Sequence, residues 1–189
     1  MDKLEYEREL IEKGCKYICG VDEVGRGPLA GPVVCAAVIM PLDDIIEGVD
    51  DSKKLSKKKR EFLSGKILEK AIAYRICRVE PQIIDEINIL QATRKAMKEA
   101  VEGLEVPPDF VLTDGNMTLD ISLQQKSIVK GDALSYSIGA ASIIAKVYRD
   151  KIMEEYAREY PQYGFESNVG YGSAAHIEAI KKYGLTPIH

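Results

Sequence analysis

Apolar positions along the chain are grouped at the lengths and periods that β-strands require. A mostly apolar segment that ends in two acids predicts a strand at residues 17–23, and a continuous apolar run predicts a second at 33–40. A period-two pattern at 71–79 predicts a third. A short segment at 109–113 predicts a fourth strand, and residues 121–129 are expected to hold one more. A short glycine-rich loop joins the first two runs, so we expect them to form an antiparallel pair.

Other segments show the helical period, and they predict helices at residues 3–13, 56–70, 81–103, 132–160 and 173–183. Ser56 suits the N-cap of the second helix, and Pro81 suits the first position of the third. The order of the elements predicts an α/β fold, a mixed sheet flanked by helices. We expect one domain over residues 1–189, with residues from about 155 to 189 as a small C-terminal helical appendage.

Four acidic residues stand where a predicted strand ends or a predicted helix begins. Asp22 and Glu23 end the first strand, Asp114 ends the fourth, and Asp132 opens the fourth helix. Open α/β sheets place ligand sites at such ends, and oxygen ligands favour Mg²⁺ or Mn²⁺ over zinc or copper. Two such ions can activate a water and stabilise the leaving oxygen of a phosphodiester. The four acids therefore predict a two-metal site for phosphodiester cleavage.

Asp22 and Glu23 are neighbours, yet successive side chains on a regular strand point to opposite faces of the sheet. We expect the strand to twist or bulge where it enters the next loop, or Glu23 to reach the site through a turn in the chain. That loop contains Gly25, Arg26 and Gly27. Its glycines allow a ligand to approach the backbone N–H groups, so we expect a phosphate or sugar to bind there.

Composition narrows the class of protein further. A net charge of −4 argues against holding nucleic acid by overall charge, although residues 51–60 carry six cations and one anion. Two histidines and four scattered cysteines do not suit a zinc site. Because no apolar run could span a membrane and the acidic N-terminus is unlike a signal peptide, we expect a cytoplasmic protein.

Several long motifs together resemble bacterial ribonuclease HII. They cover nearly the whole chain in the family's order, at residues 20–32, 51–53, 84–90, 113–115, 130–133, 140–146 and 170–172. The resemblance implies an RNase H-like fold and an endonuclease that uses Mg²⁺ or Mn²⁺, with two ions when substrate is bound. It implies RNA–DNA hybrids as substrates, and duplex DNA carrying a single ribonucleotide, as in ribonucleotide excision repair. Cleavage on the 5′ side of the ribonucleotide would leave 3′-hydroxyl and 5′-phosphate ends.

Carried over position by position, the resemblance also assigns residues. It implies that the catalytic, metal-binding acids are Asp22, Glu23, Asp114 and Asp132. The related ribonuclease HIII has glutamate at the fourth of these positions and a large N-terminal extension, so Asp132 favours the HII type.

Substrate contacts are implied in the same way. Gly25, Arg26 and Gly27 match the motif that reads the ribose 2′-hydroxyl, the group that separates RNA from DNA. Tyr171 matches a tyrosine that packs near the RNA-to-DNA junction. The expected phosphate contacts are Ser52, Lys53 and Lys146. Arg149 is expected either to face the nucleic-acid backbone or to lie in solvent.

Two other functions fit parts of the sequence. A non-catalytic module could bind phosphates through the glycine loop, but it would have no use for Asp114 and Asp132. A DNA-cutting nuclease or resolvase could share the fold, but its substrate has no 2′-hydroxyl for Arg26 to read.

We expect the protein to be a monomer. Members of the resembled family commonly continue past the Pro-x-His segment with basic and aromatic residues, whereas this sequence ends at His189. A truncated chain and a naturally short member both fit, and a weaker hold on duplex is the expectation that depends on it.

Overall fold

The structure is a computed structural model that describes residues 2–189. The strands are β1 (Ile18–Val24), β2 (Val33–Ile39), β3 (Ala73–Val79), β4 (Phe110–Asp114) and β5 (Gln124–Ile128). The α-helices are α1 (Glu5–Glu12), α2 (Lys57–Lys70), α3 (Pro81–Glu102), α4 (Gly131–Leu134), α5 (Tyr136–Glu159), α6 (Phe165–Asn168) and α7 (Ala174–Tyr183). Short 3₁₀ turns lie at Ser52–Lys54 and Pro161–Tyr163.

The strands form one sheet in the order β3-β2-β1-β4-β5. β1 and β2 are antiparallel, as are β2 and β3, whereas β4 runs parallel to both β1 and β5. This mixed sheet, covered by helices, confirms the predicted α/β class. Because β1 and β4 run in the same direction, their carboxyl ends reach the same edge of the sheet.

Helices cover both faces of the sheet. All residues of β2 are buried, and alternate residues of this strand face α3 on one side and α5 with α2 on the other. Burial on both faces explains why β2 reads as an unbroken apolar run rather than as an alternating pattern. The central position of β2 and β1 also places the end of β1 between the two helical layers.

Local sequence signals locate some helix ends well. Ser56 accepts a hydrogen bond from the Lys59 N–H at 3.2 Å, as predicted for an N-cap, and Pro81 opens α3. Helix α3 departs from the prediction of one regular helix, because Asn88 has a φ of 68°. The Asn88 side chain accepts a hydrogen bond from the Gln91 N–H at 3.0 Å, which caps the continuation of the helix.

The helix predicted over residues 132–160 is wrong as a single element. It is divided at Ser135, which has extended backbone angles between α4 and α5. The Ser135 hydroxyl accepts from the Ile138 N–H at 3.2 Å and so caps α5. Asp132 therefore lies in a separate single turn rather than at the start of a long helix.

The C-terminal elements have an apolar cluster of their own. It joins the end of α5 to α6, α7 and the last residues, and includes Met153, Tyr163, Phe165, Ala179 and Ile188. Within residues 2–189, none of the helices combines the length and the hydropathy needed to cross a membrane.

Candidate active site

Strand pairing places Asp22 beside Asp114. The β1–β4 register pairs Val21 with Thr113, so the two aspartates follow in step and project to the same face of the sheet. Helix α5 begins close against that face. A Cβ atom at Gly20 would lie 2.1 Å from the Ser137 carbonyl carbon, so only glycine permits this approach. The approach also brings the turn with Asp132 to the strand ends.

Asp22, Asp114 and Asp132 form a compact cluster, which we call the acidic triad. One carboxylate oxygen of each lies within 4.8 Å of the others. The Asp132 N–H donates to Asp114 Oδ1 at 3.3 Å. Asp22 is only 3% exposed and Asp132 only 7%. Three carboxylates this close, two of them almost removed from water, repel one another strongly when ionised.

The titration of the acidic triad reflects this crowding. Burial raises the pKa of Asp22 well above its ordinary value, and the charges of Glu23 and Asp114 raise it further. Burial, with the charge of Asp114 next, raises the pKa of Asp132 to about 6. A divalent cation would relieve this repulsion, and a donor set made only of oxygen suits Mg²⁺ or Mn²⁺. The residues present therefore fit such an ion.

Glu23 lies on the other face of the sheet. The β1–β2 register continues through Glu23–Cys35 and Val24–Val34 without an extra residue, so the expected bulge is wrong. Regular alternation turns Glu23 towards α3, where it lines a cleft of about 430 Å³ together with Arg26 and Asp114. The structure thus brings three of the four predicted acids together on one face of the sheet. Glu23 lies on the other face, where it lines the same cleft as Asp114.

The environment of Glu23 is unusual for an acid. Its Oε2 is buried and has no hydrogen-bond partner among residues 2–189, and Arg26 Nη1 lies 3.8 Å from Oε1. Burial, followed by the charge of Asp114, raises the pKa of Glu23, and Arg26 partly offsets this. An orphaned carboxylate oxygen at the cleft suits a cationic ligand.

The glycine loop is bonded to the C-terminal segment. The Leu29 N–H donates to the Gly170 carbonyl at 2.7 Å, and the Gly31 N–H donates to the Ile188 carbonyl at 2.8 Å. Tyr171 Cε1 would lie 3.5 Å from a Cβ atom at Gly27. The predicted substrate residues Gly27 and Tyr171 therefore share one surface, and Tyr171 is 43% exposed there.

A family model described as Ribonuclease HII matches residues 19–189. The chain belongs to the ribonuclease HII family. It is 55% identical to the Ribonuclease HII of Ligilactobacillus salivarius over 188 residues, which are 100% of this chain and 73% of the relative. It is 58% identical to that of Acetivibrio thermocellus over 184 residues, 97% of this chain and 72% of the relative.

The fold agrees with this assignment. The ribonuclease H2 of Pyrococcus horikoshii superimposes with a TM-score of 0.79 at 29% identity, covering 92% of each chain. Members of the ribonuclease HII family are RNase H nucleases, which depend on divalent metal ions and act on RNA–DNA hybrids. This chain is therefore a nuclease of the RNase H type.

Asp51 is a site neighbour that sequence reasoning missed. Its side chain accepts from the Lys53 N–H at 3.0 Å, and it adjoins Asp132, whose pKa it helps to raise. Burial lowers the pKa of Lys53, but the charges of Asp51 and the acidic triad raise it overall. Asp51 belongs to the motif at residues 51–53 that resembles ribonuclease HII, and this sequence signal could have identified it.

Arg149 was predicted to face nucleic acid or solvent, and both expectations are wrong. The side chain is fully buried. It donates to the carbonyl groups of Pro32, Ala30 and Val169 at 2.9, 2.9 and 2.6 Å. Burial lowers its pKa. Arg149 therefore joins the glycine loop to the C-terminal segment through these hydrogen bonds.

Two predicted phosphate contacts are engaged within the protein. Ser52 is buried, and its hydroxyl lies 2.9 Å from that of Ser142. Lys146 donates to Asp150 at 2.7 Å and lines a cleft other than the one that holds Glu23. The roles of both residues in substrate binding stay predictions.

A histidine pair that sequence reasoning did not single out supports Tyr171. His176 Nδ1 lies 2.7 Å from the Tyr171 carbonyl, which can only accept, so this nitrogen donates. His176 Nε2 then accepts from His189 Nε2 at 2.8 Å. His189 Nδ1 in turn accepts from the Thr186 N–H at 3.0 Å. The chain of bonds is complete when both rings are neutral.

Proposed function

We propose that this protein is an endonuclease that cleaves the RNA strand of RNA–DNA hybrids and nicks duplex DNA on the 5′ side of a single ribonucleotide. The products would carry 3′-hydroxyl and 5′-phosphate ends. The observation that carries the proposal is the convergence of Asp22, Asp114 and Asp132 within 4.8 Å at one edge of the sheet. Membership of the ribonuclease HII family supports the RNase H activity.

The acidic triad would hold the divalent ion, and Glu23 would face it from the α3 side with its partnerless Oε2. When bound there, one or two Mg²⁺ or Mn²⁺ ions supply an activated water and stabilise the leaving oxygen in phosphodiester hydrolysis. The raised pKa values of Asp22 and Asp132 support this assignment, because a site that disfavours ionised carboxylates without metal gains from a cation.

Selection for a ribonucleotide would come from the surface that Gly27 shares with Tyr171. The backbone of Gly25, Arg26 and Gly27 can approach a ribose closely and contact its 2′-hydroxyl. The exposed ring of Tyr171 would pack against the neighbouring deoxyribose, where an extra hydroxyl would not fit. Lys53, whose charge faces the acids, would contact a phosphate.

We also infer the setting of this activity. The chain would act as a monomer in the cytoplasm, in the removal of ribonucleotides from DNA. Residues 1–189 would form one catalytic domain, with residues from about 155 to 189 as its helical appendage. The bonds from the glycine loop to Gly170 and Ile188 support a role for that appendage in shaping the substrate surface.

The test is cleavage of a labelled duplex that carries one ribonucleotide, with Mg²⁺, Mn²⁺ or chelator, beside an all-DNA duplex. We expect metal-dependent nicking 5′ of the ribonucleotide only, and its loss in Asp22→Asn. The exposed acid Asp43 provides a matched control, and Asp43→Asn should cleave normally. Binding without cleavage under every metal would favour a non-catalytic module, and cleavage of both duplexes would favour a general nuclease.

A further inference from the structure

The N-terminal segment is bonded to the turn that carries Asp132. Lys3 Nζ donates to the Ala133 carbonyl at 2.6 Å, and the Lys3 carbonyl accepts from the Tyr136 N–H at 2.7 Å. The Ser135 hydroxyl donates to Glu7 Oε1 at 2.5 Å. Contacts from Lys3 and Glu7 therefore reach residues that directly follow Asp132.

Glu7 is an exceptional residue for a surface helix. It lies on α1 yet is fully buried, while its neighbours Glu5 and Glu9 are exposed. Its Oε2 has no hydrogen-bond partner among residues 2–189. Burying a carboxyl group in this way is costly, and burial raises the pKa of Glu7, with the Ser135 hydrogen bond offsetting part of the rise. Packing alone would be better served by an apolar side chain.

Helix α4, the turn that carries Asp132, depends on contacts with other segments for its stability. Helix α4 is a single turn of four residues, and a lone turn is not stable by itself. It follows Lys130, which has the left-handed φ of 57° that non-glycine residues rarely adopt. The same Lys3 ammonium donates to Asp50 Oδ1 at 2.9 Å, next to the Asp51 that adjoins Asp132. The Lys3 ammonium thus bonds to both segments that lie beside Asp132, at Ala133 and at Asp50.

We propose that Glu7 and Lys3 are positioning residues that hold Asp132 at the distance from Asp22 and Asp114 that a divalent ion requires. The inference rests on the proposed function, since it assumes that the acidic triad binds metal. Helix α1 lies outside residues 19–189, the stretch that the family model matches. The position of Asp132 is therefore set in part by a segment beyond that stretch.

The experiment measures Mn²⁺ affinity by titration calorimetry, well below the melting temperature, for the full chain and its variants. Glu7→Ala should weaken Mn²⁺ binding about tenfold, the usual scale for losing a group that orients a metal ligand. Glu7→Gln keeps an oxygen for the Ser135 hydroxyl and should restore the Mn²⁺ affinity.

Lys3→Met, which removes a partly exposed side chain, should also weaken Mn²⁺ binding and provides a test if Glu7→Ala does not fold. Glu9→Ala, on the exposed side of α1, is the matched control and should bind as the wild type does.

Thermal midpoints measured in chelator separate positioning from general stability. A purely structural role would lower the midpoint of Glu7→Ala and leave its Mn²⁺ affinity at the wild-type value, and that result would overturn the inference alone. Equal losses of affinity in Glu7→Gln and Glu7→Ala would also overturn it. Absence of Mn²⁺ binding by the wild type would overturn the proposed metal site itself, so the two failures are distinguishable.

Discussion

Replacing Asp132 with asparagine should stabilise the metal-free protein at neutral pH. Burial and the charge of Asp114 raise the pKa of Asp132 to about 6, so the ionised carboxylate is disfavoured in the folded state. Asparagine is neutral and nearly the same shape, and its amide can donate to Asp51 as a protonated Asp132 would. The change therefore removes repulsion within the acidic triad and keeps the local geometry.

The size of the effect follows from the shift in pKa. A rise from 3.8 to about 6 corresponds to an upper limit of about 3 kcal/mol, at about 1.4 kcal/mol per pKa unit. Asp114, whose charge contributes to this shift, lines an open cleft where water screens part of the repulsion, so we expect a gain of about 1–2 kcal/mol. For a domain of this size, that is a rise in melting temperature of roughly 2–8 °C.

The sign of the pH dependence is specific. A carboxylic acid whose folded pKa is raised destabilises the protein above that pKa and has no effect below its unfolded pKa. The advantage of Asp132→Asn should therefore be full at about pH 7.5 and should disappear near pH 4. Urea unfolding of both proteins in chelator, at several pH values, measures this difference, and cleavage by the variant should be lost.

Asp109 provides a control of opposite sign. Its carboxylate accepts from the Tyr17 and Lys16 N–H groups at 2.7 and 2.8 Å, and these bonds lower its pKa. Asp109→Asn should therefore destabilise the protein at neutral pH. An Asp132→Asn variant that is no more stable than the wild type, or equally stabilised at both pH values, would refute the reasoning.

Three further predictions concern the supports of the site. Arg149→Met leaves three carbonyl groups, two of them in buried hydrogen bonds, without their donor. It should cost about 3 kcal/mol in urea unfolding, and unchanged stability would contradict the role of Arg149 in joining these segments. Gly20→Ala places a Cβ atom 2.1 Å from the Ser137 carbonyl carbon, so it should lower the free energy of unfolding by about 1–3 kcal/mol or more. An unchanged free energy of unfolding would mean that α5 shifts freely. Burial and the charge of His176 lower the pKa of His189, so the stability of the protein should fall as pH drops below about 6.5. His189→Asn keeps an acceptor for the Thr186 N–H and should lose that part of the pH dependence. An identical pH profile in the variant would refute this prediction.

Features encoded in short stretches were predictable from the sequence. The strands, the N-cap at Ser56 and the opening of α3 at Pro81 depend on local periodicity and capping chemistry. The alternation of side chains also placed Asp22 and Glu23 on opposite faces. The expected bulge was wrong because it assumed that both acids had to reach the site from one face, whereas the site extends around the end of β1.

Features that depend on distant contacts were not predictable. Arg149 bonds to Pro32, 117 residues away, and Glu7 bonds to Ser135, 128 residues away. Each has a charged side chain that sequence reasoning places at the surface, since only the folded structure reveals a buried partner. Ser135 is a residue type that favours helix N-caps, but the apolar residues at helical spacing on both sides of it led to the prediction of a single helix.

The most direct test of the central claim locates Mn²⁺ by anomalous diffraction from crystals of the protein soaked in that ion. The account predicts an anomalous peak coordinated by Asp22, Asp114 and Asp132, with the peak weakened or lost in crystals of Asp132→Asn. A map with no peak at the acidic triad, or an undiminished peak there in the variant, would contradict it.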